Sequence, residues 1–216
     1  EYYRYIVYVS PTQFDTTITA YLTDGSTTVS VSDYSVYAYC TAAMTSDESD
    51  ELYAVKDLCE AVLNYGYYVE KWLDGSSSID ILDIDLTWTD PVKYGTWDVD
   101  LSTYSSTANG IEGKTLALDG EGIFIRLYVS DSSTYTVSSK DIISGSDSSG
   151  SYIEFKVPAK EMSSIFSIYR DGVFYTSYSI YSYIKNTVDD ENENLSNVCK
   201  AIYYYGQASA AYQGWR

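Results

Sequence analysis

The chain has 216 residues, enough for one large domain or two small ones, and its 45% hydrophobic content supplies a core rather than a disordered tract. Thirty-one Asp and Glu against 13 Lys and Arg give a formal charge of −18, which argues against nucleic acid as a partner and against anionic membrane surfaces. No apolar run approaches the ~20 residues that span a bilayer, and the absence of His removes the most usual general base and zinc ligand.

In chain order, residues 1–9 (EYYRYIVYV) read as a strand with Tyr on both faces rather than as a signal peptide. Either a signal was removed or the chain is part of a longer protein. Pro11 and the polar run after it break the strand. Ile18–Leu22 and Thr27–Val31 form a hairpin around Asp24-Gly25, and Ser35 caps a short helix over roughly 36–44. A second helix runs from about Leu52 to Leu73, because Leu52, Val55, Cys59, Val62, Gly66, Val69 and Leu73 make one apolar stripe. Ile79–Thr89, Trp97–Leu101, Lys114–Leu118, Gly122–Val129, Tyr152–Val157, Ile165–Tyr169 and Val173–Tyr175 are predicted strands, with Gly145–Ser151 a loop tip. Ser179 opens another helix, and a last helix carries Leu195, Val198, Cys199, Ile202 and Gly206.

These elements spell a duplication. Val55–Trp72 and Leu195–Tyr212 align without a gap, sharing Cys59/Cys199, Ala61/Ala201, Tyr65/Tyr205 and Gly66/Gly206. Ser35–Cys40 matches Ser179–Ile184, and Pro11, Ile18 and Asp24-Gly25 match Pro158, Ile165 and Asp171-Gly172. The expected units are 1–75, a first repeat with a truncated β part, and 76–216, a second repeat with a full one, packed as one structure. The expected fold class is α+β: antiparallel sandwich-like layers with two pseudo-repeated helical hairpins. A mid-helix Gly costs about 1 kcal/mol against Ala, so Gly66 and Gly206 mark places where a backbone or ring comes close. The chain then looks cut inside a longer repeat array, or starts at a processed terminus that leaves an open sheet edge. Three Cys make no disulfide framework. Cys40 and Cys59 fall on neighbouring helices and invite a bridge, but Ile184 answers Cys40 in the second copy, so buried free thiols are the preferred reading.

The phrase KAIYYYGQASAAY, with SIYSYI upstream and EGKTLALDGEGIFIRLYV between, resembles a domain of large secreted surface proteins from anaerobic gut and rumen Gram-positive bacteria. There a "ySV-dYa" helix precedes an "ALlnYG-aAq-yF" helix, followed by "y-G-sL-L-s-t-lr-Yf" strands and an "AKEM" segment. These correspond to Ser35–Tyr39, Ala61–Trp72, Gly113–Val129 and Ala159–Met162. The present chain departs in its 26 Tyr and in having Gln213 where the motif ends on an aromatic. The resemblance implies a secreted, cell-surface location and a non-catalytic role beside carbohydrate-active or adhesion modules.

Chemistry-bearing residues are sparse. Asp83, Asp85, Asp98 and Asp100, with Asp80 nearby, are the candidate metal ligands, since D-x-D oxygens suit Ca²⁺; Asp on the wet face of a strand gives the same spelling. Apart from Ca²⁺ no cofactor is expected. No nucleophile elbow, P-loop or dinucleotide motif occurs, so an enzyme is not expected. Tyr2, Tyr3, Tyr5, Trp72, Trp97 and Trp215 are candidate binding residues, because rings beyond those the helices can bury serve protein or glycan contacts. The expected function is a structural or adhesion module contacting other repeats or subunits, in part by strand addition at residues 1–9. A carbohydrate-binding module using exposed Trp and Tyr is the alternative.

Overall fold

A computed structural model describes residues 6–49, 55–77, 99–105, 110–119, 122–129 and 134–214. Among them are four helices and nine strands in antiparallel sheets, an α+β architecture. Ile6–Val9 have no regular secondary structure, so the strand expected over 1–9 is not formed in its described part. A single 3-10 turn at Pro11–Gln13 leads to β1 (Ile18–Thr23) and β2 (Thr28–Tyr34), a two-stranded sheet. The loop between them is held by Asp24, whose carboxylate accepts from the backbone N–H of Ser26 (2.9 Å) and Thr27 (2.7 Å).

Helix α1 (Val36–Thr45) starts where Ser35 Oγ accepts from Ala38 N, and α2 (Lys56–Asp74) ends on Gly75 in the left-handed region at φ +76°. The single apolar stripe expected of α2 is too narrow. Its middle turns bury Ala61, Leu63, Asn64, Tyr65, Gly66, Tyr68, Val69 and Glu70, because other elements pack around most of the helix.

Further on, β3 (Gly113–Asp119), β4 (Gly122–Tyr128), β6 (Ile143–Asp147) and β7 (Gly150–Val157) form a four-stranded sheet in the order β3-β4-β7-β6. The Ser-rich segment expected as a loop tip is a hairpin: Ser144 pairs with Ile153 and Asp147 with Gly150. Gly150 adopts φ +134°, which accounts for the tight reversal. Val99–Leu101 form no strand. The short strand β5 (Tyr135–Val137) borders β8 (Phe166–Arg170), which pairs with β9 (Val173–Tyr178). Ser179 then caps α3 (Ile180–Thr187) by accepting from Ser182 N, and α4 (Glu193–Gly214) closes the fold.

One large core joins these parts. Ile125, Leu127 and Phe155 of the four-stranded sheet meet Phe166 and Ile168 of the three-stranded one, with Phe155 edge-on to Phe166 at 5.4 Å. Helices α3 and α4 add Ile180, Ile184, Val198 and Ile202, and α2 adds Tyr65 and Tyr68. A satellite cluster of Cys40, Ala43, Met44, Cys59 and Leu63 glues α1 to α2.

The segments that the sequence aligns each run through a 3-10 turn, a β-hairpin and two helices. Pro11 is the first residue of its 3-10 turn, whereas Pro158 caps the turn Ala159–Glu161. Phe14 and Met162 are both buried and both helical in backbone immediately after their turns. Ile18 and Phe166 each open a strand opposite a Tyr, at Ile18↔Tyr34 and Phe166↔Tyr178, whereas Ile165 lies outside its strand.

Candidate functional site

A concave feature lies where α2, α4 and the two 3-10 turns meet. A groove of about 380 Å³ is lined by Tyr8, Phe14, Tyr65, Lys156, Met162 and Tyr205, among other residues. A second hollow of about 280 Å³ shares Val62, Pro158, Ala159 and Tyr205 with it and runs on to Tyr212. The floor exists because Tyr65 and Tyr205 stack at 5.2 Å with planes 17° apart, while Phe14 tilts against Tyr65 at 6.5 Å. The Lys156 ammonium stands over the rings of Tyr8 (5.4 Å) and Phe124 (5.9 Å), so a cation overlooks an otherwise apolar surface. Nothing in the sequence pointed to Lys156, because its ring partners come from chain segments far apart.

Of the expected binding residues only Trp72 is among the described ones. Tyr2, Tyr3, Tyr5, Trp97 and Trp215 lie outside the described residues. Trp72 sits in the last turn of α2 with 36% of its surface exposed, and is not among the residues lining the groove. Several described aromatics are core residues instead. Tyr68 is 2% exposed, and Tyr181 is buried with its hydroxyl accepting from Gln207 Nε2 at 2.9 Å.

Of the expected metal ligands, Asp83, Asp85 and Asp98 also lie outside the described residues. Asp100 is exposed, and its carboxylate accepts from Ser102 N at 2.8 Å. Hydrogen bonds from Ser102, helped by the charge of Lys185, hold that carboxyl below the usual range. Among the described residues no three Cys, Asp or Glu come together as a metal site.

Among the described residues, the densest ionic cluster is on the outer face of the four-stranded sheet. Arg126 pairs with Asp147 and Glu154, each at 2.9 Å, and its guanidinium lies 3.9 Å from the Tyr152 ring centre. Tyr128 Oη also donates to Asp147 at 2.9 Å. Both acids are thus occupied by a cation, an arrangement that pins three strands rather than one that frees a carboxyl for proton transfer.

All three thiols are free and buried. Those of Cys40 and Cys59 hydrogen-bond to each other, and this bond together with burial holds the Cys40 thiol protonated well above the usual range. Burial likewise pushes Cys199 up to about 12. The same bond from Cys40 lowers the Cys59 thiol below its usual range, against the effect of its burial.

No protein-family model, curated protein or solved structure matches this chain.

Proposed function

We propose that this chain is a non-catalytic structural or adhesion module of a secreted bacterial cell-surface protein, built from two like α+β units and acting through contacts between such units. The observation that supports it most is the packing of α2 on α4 through residues at matching positions, with Tyr65 stacked on Tyr205. A contact that joins equivalent surfaces is how repeat-built proteins bury the faces that single units leave open. The same pairing runs through the whole unit: a 3-10 turn, an amphipathic β-hairpin, a Ser-capped helix and a long helix, in that order, twice. The four- and three-stranded sheets facing each other across Phe155 and Phe166 read as a sandwich in this scheme.

A second reading, a carbohydrate-binding module, draws support from the half-exposed indole of Trp72 and from Tyr8, 64% exposed at the groove mouth. Light scattering after size exclusion, paired with a glycan array, separates the two. The module reading expects concentration-dependent association and a silent array. A polysaccharide class bound by the wild type and lost in Trp72→Ala or Tyr8→Ala would overturn it in favour of glycan recognition.

A further inference from the structure

Cys40 and Cys59 come from different helices, yet their thiols are in hydrogen-bond contact. Cys40 lies on α1 and Cys59 in the first turn of α2, and both are buried. They meet because α1 packs on α2 through the small cluster of Cys40, Ala43, Met44, Cys59 and Leu63. Both are reduced in this structure. Two sulfurs already in contact across a helix pair need only a short approach to reach the bond length of about 2.0 Å. The third thiol has no such neighbour. Cys199 is fully buried in the main core, apart from this cluster, and the residue aligned with Cys40 in its own helical hairpin is Ile184.

We propose that Cys40 and Cys59 are a modification site: they form a reversible disulfide, made by exchange with a low-molecular-weight disulfide, that locks α1 onto α2. Cys59 is the attacking group. The hydrogen bond from Cys40 and the positive end of the α2 dipole both favour negative charge on its sulfur. The Cys59 thiolate attacks one sulfur of RSSR, so that a mixed disulfide forms as the original S–S bond breaks and RS⁻ leaves. Cys40 then gives up its proton and attacks Cys59 Sγ. The Sγ–Sγ bond forms and a second RS⁻ departs. In balance, the two protein thiols lose two electrons and two protons, and RSSR becomes two RSH. Access comes through α1. Its buried side chains Cys40, Ala43 and Met44 belong to a cluster separate from the main core, so local opening of this helix admits the reagent without unfolding the rest. A secreted protein meets such disulfides in its oxidising surroundings, but the chemistry stands on the two sulfurs and not on the module reading above.

The test incubates the reduced, folded chain with glutathione disulfide and then counts thiols by alkylation after unfolding. The three thiols should fall to one, with the label on Cys199, while peptide mapping finds Cys40 joined to Cys59 in a monomer lighter by two hydrogens. Dithiothreitol should restore all three. The bridged form should melt at least about 5 °C above the reduced one, since the cross-link restrains the unfolded chain. Cys40→Ser should stop with one glutathione on Cys59, and Cys59→Ser should take up glutathione on Cys40 at least about tenfold more slowly. Three thiols persisting in the folded protein overturns the proposal. So does a Cys40–Cys59 link that appears only in urea, a link to Cys199 or between molecules, or a bridged form that melts lower than the reduced one. Equal uptake by the two variants overturns the assignment of Cys59 as the attacking group. The wild-type results stand even if a Ser variant fails to fold. Self-association and glycan binding are read separately, so the module reading can fail without touching this outcome.

Discussion

Tyr65 of α2 and Tyr205 of α4 stack across the two long helices, their rings nearly parallel at 5.2 Å. Tyr65 is almost fully buried, so the pair ties α2 and α4 into a single core instead of decorating a surface. Tyr65→Ala should cost about 3–4 kcal/mol, as expected for truncating a buried aromatic. A double-mutant cycle with Tyr205→Ala should return a coupling of about 0.5–1.5 kcal/mol from urea unfolding. Strict additivity would show that the stack is incidental.

Gly206 meets the Met162 side chain, where an added Cβ would lie 2.9 Å from Sδ and 3.1 Å from Met162 Cβ. Helix propensity favours Ala over Gly by about 1 kcal/mol, but overpacking costs roughly 1–3 kcal/mol. Gly206→Ala should therefore be net destabilising by about 1 kcal/mol. Adding Met162→Ala should make the combined loss smaller than the sum of the two single losses, as read from denaturant midpoints.

The two N-cap serines are both buried but differ in their hydrogen bonds, and should differ in cost. Ser35→Ala removes one hydrogen bond at a helix start and should cost about 1 kcal/mol. Ser179 is completely buried and also shares a hydrogen bond with the Ser182 hydroxyl at 3.1 Å. Its loss strands buried polar groups, so Ser179→Ala should cost about 2–3 kcal/mol. Equal losses in urea would contradict this account.

Alkaline stability should report Cys199. Burial raises its pKa from 9.0 to about 12, so the folded protein keeps a proton that the unfolded chain releases. The contribution is complete below pH 9 and is lost as pH climbs from 9 to about 12, with a slope of about 1.4 kcal/mol per pH unit. Cys199→Ala should flatten that slope in urea titrations between pH 8 and 10. Above this range the buried hydroxyls of Tyr178 and Tyr181, also pushed up by burial, should add a decline that the variant retains.

Local signals located the elements well. Ser35 and Ser179 announced two helix starts and Asp171-Gly172 a hairpin, while the close approach expected of a backbone or ring at Gly206 is made by the Met162 side chain. Each is a short-range effect: a side chain capping its own backbone, a turn tolerating positive φ, a missing Cβ. Strands β5 and β6 were missed for the converse reason. Tyr135–Val137 is three residues long and Ile143–Asp147 is rich in Ser and Gly, so neither has intrinsic strand character. Their pairing with β8 and β7 makes them strands.

By itself the sequence determined the α+β composition and the order of hairpins and helices, because periodicity and capping act within a few residues. The tertiary structure alone decided what each face meets. The two Asp-Gly hairpins end up buried at Ile168 and bare at Val31. Whether an apolar face is core or interface depends on which layer arrives to cover it, and that is a property of contacts between distant segments rather than of the strand itself.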